Sequence, residues 1–119
     1  MKIEIVGIFD KGVPNNERIT LKVLQDCNLM YYSVGKTVYS GPNNISNALK
    51  EIFWFSPREV KSGDYIWLYT GNGSEHTHSN TSGTTTHNFY WRLPKTIFHS
   101  IDDCAVLFEN NNWQTSPRT

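Results

Sequence analysis

The sequence of 119 residues has little cysteine and no excess of either charge. Its two cysteines, Cys27 and Cys104, are too few and too far apart in sequence for a zinc knuckle, and we expect free buried thiols rather than a disulfide. Lysine plus arginine and aspartate plus glutamate number 11 each, so the formal net charge is zero. This balance argues against non-specific binding to nucleic acid or to a membrane surface, because both need clustered positive charge.

A long apolar run is also absent from the sequence. No stretch approaches the roughly 20 apolar residues that a membrane span needs. Residues 1–6 lead directly into a strand-like pattern instead of a signal peptide. We therefore expect an intracellular, cytoplasmic protein with one domain over residues 1–113 and a polar tail over 114–119.

Aromatic residues are plentiful, with six Phe, six Tyr and four Trp. They fall within short segments that end at Gly, Pro or Asn, and residues 18–24 alternate cleanly between apolar and polar side chains. Strands are predicted at 2–8, 18–24, 29–32, 36–39, 53–55, 65–70, 89–92 and 104–109. The pattern favours an all-β fold of roughly seven to nine short antiparallel strands, arranged as a sandwich or barrel.

Three segments carry further expectations. Ser33-Val34-Gly35 is predicted to turn between two strands of a hairpin. The spacing of apolar residues over 45–52 permits a short helix or a turn, although Phe53-Trp54-Phe55 directly after it favours a strand. Residues 71–88 are predicted to form an 18-residue polar loop, and loops of that length are often functional. We expect the strands at 65–70 and 89–92, which hold the ends of this loop, to pair.

The aromatic side chains of the segment at 65–70 alternate with aliphatic ones. Tyr65, Trp67 and Tyr69 share one face of the predicted strand, and Ile66 and Leu68 share the other. The prediction is a central strand that is buried on both faces. The alternative is an exposed aromatic face that contacts a protein or a ligand.

Histidines give the sequence its one potential metal site. His76 and His78 would project from the same side of an extended segment, and His87 lies across the predicted loop, so three imidazoles and a water could bind zinc. The favoured interpretation is a solvated polar loop with no metal and no cofactor. Cys104 lies within a predicted strand and Asp102-Asp103 within a predicted turn, so neither indicates catalysis, and we expect no enzymatic activity.

The order of motifs from residue 61 onward resembles the lamin tail domain, an immunoglobulin-like β-sandwich. The motifs are Gly63-Asp64, then Tyr69-Thr70-Gly71-Asn72-Gly73, then Tyr90-Trp91, then Ile97-Phe98, and last Asp102-Asp103 before Cys104-Ala105-Val106-Leu107. Phe98 stands where the family usually has Trp, and the 71–88 segment is long. The resemblance implies an immunoglobulin-like sandwich that serves as a binding module.

The resemblance and the predicted loop together imply a non-enzymatic module that recognises another protein. The residues expected to bind are Tyr69, Asn72, His76, His78, His87, Tyr90 and Trp91. One alternative is nucleic-acid binding, by analogy with the chromatin contacts of lamin tails, although the zero net charge counts against it. The other is a metal-dependent enzyme that uses the loop histidines.

Overall fold

The computed structural model describes residues 1–118. Across these residues the fold is all-β, with several sheets and a single turn of 3-10 helix at Leu29–Tyr31. Eleven strands are present over this range, rather than seven to nine: β1 (Ile3–Phe9), β2 (Arg18–Val23), β3 (Cys27–Asn28), β4 (Tyr32–Gly41), β5 (Asn44–Ile45), β6 (Glu51–Trp54), β7 (Glu59–Val60), β8 (Tyr65–Tyr69), β9 (His76–Ser79), β10 (Thr85–Tyr90) and β11 (Asp103–Glu109).

The larger sheet has five strands in the order β1-β2-β8-β10-β9. The expected pairing of the strand at 65–70 with the strand near 89 is confirmed, since Leu68 pairs with Phe89 and Tyr69 with Tyr90. This pair is parallel, however, so the prediction of antiparallel strands throughout was wrong. β8 and β10 can run parallel because β9, which lies between them in the chain, runs antiparallel along the far edge of β10. The chain therefore returns to the end of the sheet at which β8 began before it enters β10.

The predicted loop at 71–88 is largely a β-hairpin. β9 and β10 occupy much of it, and the tight turn between them closes where the Asn80 amide donates to the carbonyl of Thr84. The polar composition of this segment predicted a loop, and that prediction was wrong. β9 is an edge strand with both faces exposed, so it needs no apolar residues.

The second sheet is built on β4. β11 pairs with one edge of β4, and β6 and β5 pair with successive parts of the other edge. The predicted turn at Ser33-Val34-Gly35 is instead continuous strand. Gly35 marks a close approach rather than a turn, since a Cβ there would lie 3.2 Å from Cδ2 of Leu49.

The segment over 45–52 contains the end of β5 and the start of β6, and no helix. Its apolar residues cannot form a buried helical face, because Ile45 and Ile52 are exposed. Thr37 of β4 holds the segment against the sheet, since its hydroxyl donates to the carbonyl of Ser46 at 2.8 Å.

Residues from both sheets form one hydrophobic core. Phe55, directly after β6, packs against Phe89 of β10 with 5.0 Å between the ring centroids. The alternation predicted for β2 is confirmed, with Ile19 and Leu21 fully buried. Both cysteines are free thiols, as expected, but only Cys104 is buried and Cys27 is half-buried. Residues 114–118 have no regular secondary structure, and Thr119 lies outside the described residues.

Candidate binding site on the outer face of the five-stranded sheet

Strand β8 is buried on one face only. Ile66 and Leu68 point into the core and are fully buried, whereas Tyr65, Trp67 and Tyr69 are half-buried on the opposite face. The prediction of burial on both faces was therefore wrong, and the alternative of an accessible aromatic face describes the structure. The aromatic side stays accessible because the second sheet packs against the face that carries Phe89.

One side chain from each of the five strands joins a continuous row across this outer face, which we call the ring row. Its members, in the order of the strands, are Phe9, Arg18, Tyr69, Tyr90 and His76. The Arg18 guanidinium carbon lies 5.7 Å from the Phe9 ring centroid and 5.8 Å from that of Tyr69. The Tyr69 and Tyr90 rings stack with centroids 5.1 Å apart and planes 11° apart. His76 stacks against Tyr90 at 6.1 Å.

The register of β8 and β10 explains the stacking of the two tyrosines. Tyr69 and Tyr90 are direct partners in the parallel ladder, so their side chains leave the sheet side by side. Strands in a sheet lie about 4.8 Å apart, which is close to the separation at which offset aromatic rings attract. The row therefore follows from the strand register, and each ring restricts the rotation of its neighbour.

Arg18 is held by several partners at once. One of its terminal nitrogens, Nη1, lies 3.0 Å from Oδ2 of Asp10 and 3.0 Å from the carbonyl oxygen of Asn16. The guanidinium also lies 5.0 Å from the Trp67 ring centroid. Its Nε atom is buried and lacks a hydrogen-bond partner among the described residues. Cation–π contacts and an ion pair thus fix the cation among aromatic rings.

The backbone at Gly73 lies against the Tyr90 ring. A Cβ added to Gly73 would overlap Cε1 of that ring, far inside van der Waals contact. Any residue larger than glycine at this position would displace the ring. The ring of Tyr90 is consequently enclosed by Tyr69 on one side and by the chain that leads into β9 on the other.

His87 and Trp91, both predicted to bind, lie on the opposite side of the sheet from the ring row. His87 pairs with Ile66 in the ladder and shares its inward face. Its Nε2 atom lies 2.9 Å from Oδ2 of Asp64, and its Nδ1 atom is buried without a partner in residues 1–118. The Trp91 ring packs beside the core, 6.0 Å from Phe53.

Asp64 anchors the turn that leads into β8. Its carboxylate accepts hydrogen bonds from the backbone amides of Lys61 and Thr85, each at 3.0 Å, and it also contacts Nε2 of His87. Burial by itself would raise the pKa of Asp64, but the hydrogen bonds from His87 and from these two amides outweigh it, so the pKa is lowered. The carboxylate is therefore charged at neutral pH and supports the fold.

Five of the predicted binding residues remain accessible near one another. We call them the hairpin patch: Tyr69, Asn72, His76, His78 and Tyr90. His78 lies 5.6 Å from the Trp67 ring and 3.1 Å, through Nδ1, from the side-chain amide of Asn88. Asn72 is exposed in the connection that leads to β9. Because His87 points inward, the three histidines do not meet, and residues 1–118 contain no group of three metal-ligating side chains.

Arg18 and Phe9 complete the ring row and were not among the binding residues predicted from the sequence. The alternation over 18–24 does place Arg18 on the polar face of its strand, so part of the signal was present. The sequence does not show which strand pairs with β2, because its neighbour β8 comes more than 40 residues later in the chain. Only that pairing brings Arg18 opposite Tyr69.

Comparison with known proteins gives no match among protein-family models, curated proteins or solved structures. Across the part of the chain that the structure describes, no helix is long and apolar enough to cross a membrane.

Proposed function

We propose that this domain is a non-enzymatic binding module that recognises another protein through the hairpin patch. The observation that carries the proposal is the ordered stack of Tyr69, Tyr90 and His76, which is partly open to solvent. Tyrosine is enriched among the residues that contribute most to protein–protein affinity. Rings already held in place lose little conformational freedom when a partner binds.

We further propose that the fold is an immunoglobulin-like sandwich of the lamin tail type. Two features support this proposal. Phe53 and Phe55 from the β4 sheet pack on Phe89 of the other sheet, so two sheets share a core. The Gly63-Asp64 step that carried the resemblance has a structural role, since Gly63 has a positive φ of 93° and Asp64 binds two backbone amides.

The test of the protein-binding proposal is affinity purification from lysate of the native host, with nuclease present, read by mass spectrometry. The wild type is compared with His76→Ala/His78→Ala, which alters two exposed side chains of the hairpin patch. Tyr39→Ala is the matched control, because Tyr39 is exposed on the other sheet. A discrete protein recovered with the wild type and the control, but lost with the patch variant, is expected. Equal recovery with all three proteins would contradict the proposal.

Single-stranded nucleic acid is the second candidate ligand. The favouring observation is that cations lie over rings on the outer face, with Arg18 near Trp67 and Lys22 Nζ 6.0 Å from the Tyr65 centroid. Such aromatic and basic surfaces bind stacked bases. The pairing of Arg18 with Asp10 and the zero net charge weaken this candidate. Absence of oligonucleotide binding even at low salt would remove it.

A further inference from the structure

A cleft of about 390 Å³ opens on the outer face of the five-stranded sheet, beside the hairpin patch. This volume falls within the range of small-ligand sites. The cleft and the hairpin patch share no residue, so an inference about the cleft does not rest on the proposed protein-binding function.

The walls of the cleft are preformed. On one side Val6 and Phe9 of β1 project outward, and Val6 does so at a β-bulge between Ile5 and Gly7. Bulges of this kind redirect a side chain and are often found beside functional sites. On the other side Asn80 is fixed by Thr86, whose hydroxyl donates to its side-chain oxygen at 3.1 Å.

Aromatic rings and neutral hydrogen-bonding groups both line the cleft. Tyr65 and Trp67 supply half-buried rings. Between them and the walls lie hydroxyl groups from Thr20 and Thr86, whose residues are almost completely buried. Buried polar groups beside apolar surface select a ligand that has both apolar faces and hydroxyl groups.

Charge decides between classes of ligand. Of the described residues that line the cleft, Arg18 is the one with a charge, and Asp10 already pairs with it at 3.0 Å. An anionic ligand such as a phosphate would therefore have to compete with Asp10 for the cation.

We propose that this cleft binds a neutral saccharide, one sugar ring of which packs its C–H face against Trp67 while its hydroxyl groups bond to Thr20 and the Asn80 side of the cleft. Sugar rings combine an apolar face with a rim of uncharged hydroxyl groups, which matches this lining. The Tyr65 ring extends the aromatic surface along β8, so a short oligosaccharide binds better than a single sugar.

The experiment is an NMR titration of the ¹⁵N-labelled protein with soluble neutral tetrasaccharides built from glucose, mannose, xylose or N-acetylglucosamine. At millimolar concentration, at least one should shift the Trp67 indole resonance. Thr20→Val, which keeps the side-chain shape but removes the hydroxyl, should weaken binding by about tenfold. Trp67→Ala, followed through the backbone amide resonances of the other cleft residues, should abolish binding, and Trp54→Ala on the other sheet should leave it unchanged.

His76→Ala alone separates the two proposals, because His76 stacks against Tyr90 of the hairpin patch and does not line the cleft, so this variant should weaken recovery of the protein partner and retain the saccharide. Failure of every tetrasaccharide to shift the Trp67 indole would overturn the inference. So would binding that Thr20→Val and Trp67→Ala both retain at full strength. Binding of a fatty acid or of inorganic phosphate in the cleft, with no saccharide bound, would also overturn it.

Discussion

His87 Nε2 lies 2.9 Å from Asp64 Oδ2, and both side chains are almost completely buried. Asp64 precedes β8 and His87 lies within β10, so the contact joins two strands that pair in parallel. The same carboxylate accepts backbone amides from both strand entries, at Lys61 and Thr85. The register that aligns Tyr69 with Tyr90 on the outer face is thus supported by a polar cluster on the inner side.

Asp64→Asn should lower the free energy of unfolding by about 1–3 kcal/mol. The substitution replaces one acceptor oxygen with an amide that cannot accept, so at least one of the three donors around Asp64 loses its partner. Urea denaturation followed by tryptophan fluorescence measures the change. Asp102→Asn is the control, since Asp102 is exposed. Equal stability of Asp64→Asn and the control would show that the cluster contributes nothing.

The charged carboxylate of Asp103 should stabilise the fold, and this stabilisation should be lost in acid. Backbone amides of Ser100 and His99, with help from Lys36, lower the pKa of Asp103 from 3.8 to about 2. Because the folded pKa is the lower one, this stabilisation is complete above pH 3.8 and is lost as the pH falls towards 2. It amounts to about 1–2 kcal/mol.

The measurement is the free energy of unfolding at several pH values from about neutral down to about 2, for wild type and Asp103→Asn. The wild type should lose more stability than the variant over the interval in which Asp103 titrates. Parallel curves for the two proteins would contradict the assignment.

The local sequence pattern predicted the positions of the strands better than it predicted which strands pair with one another. The alternation over 18–24 identified β2 and the face of it that enters the core, whereas the pattern in 65–70 identified β8 as a strand but not that only one of its faces is buried. The hairpin at 71–88 was missed because exposed strands such as β9 need no apolar residues. The division of the predicted binding residues between two faces depends on the β8–β10 register, which no local pattern records.

Glu17 should be among the residues most sensitive to substitution, although no sequence pattern singled it out. Its buried carboxylate accepts the backbone amides of Gly12, Ile97 and Phe98 and the hydroxyl of Thr70, at 2.7–3.0 Å. Glu17→Gln replaces one carboxylate oxygen with an amide nitrogen, which cannot accept hydrogen bonds from these donors. The substitution should lower the free energy of unfolding by about 2–4 kcal/mol.

Thermal and urea denaturation of Glu17→Gln test this prediction. Glu4→Gln is the matched control, because Glu4 is exposed on the neighbouring strand β1 and should tolerate the change within experimental error. The idea fails if the two variants unfold at the same urea concentration.

The two thiols should react at different rates in the folded protein. Burial raises the pKa of Cys27 and also that of Cys104, so less reactive thiolate is present at neutral pH. Cys27, which is half-buried, should react slowly with a thiol-specific chromogenic disulfide, and Cys104 should react only in denaturant. One equivalent before unfolding and two after is the expected count. Rapid reaction of both thiols in the native protein would be inconsistent with this structure.

Gly73→Ala should displace the Tyr90 ring, because the new methyl group would overlap its Cε1 atom. Overpacking of this kind lowers the free energy of unfolding by about 1–3 kcal/mol. It should also change the near-ultraviolet circular dichroism of the stacked tyrosines and weaken partner binding at the hairpin patch. Gly41→Ala is the control, since nothing lies within 4 Å of the position that a Cβ would take there. If Gly73→Ala leaves both the spectrum and partner recovery unchanged, the enclosed Tyr90 ring does not determine the binding surface.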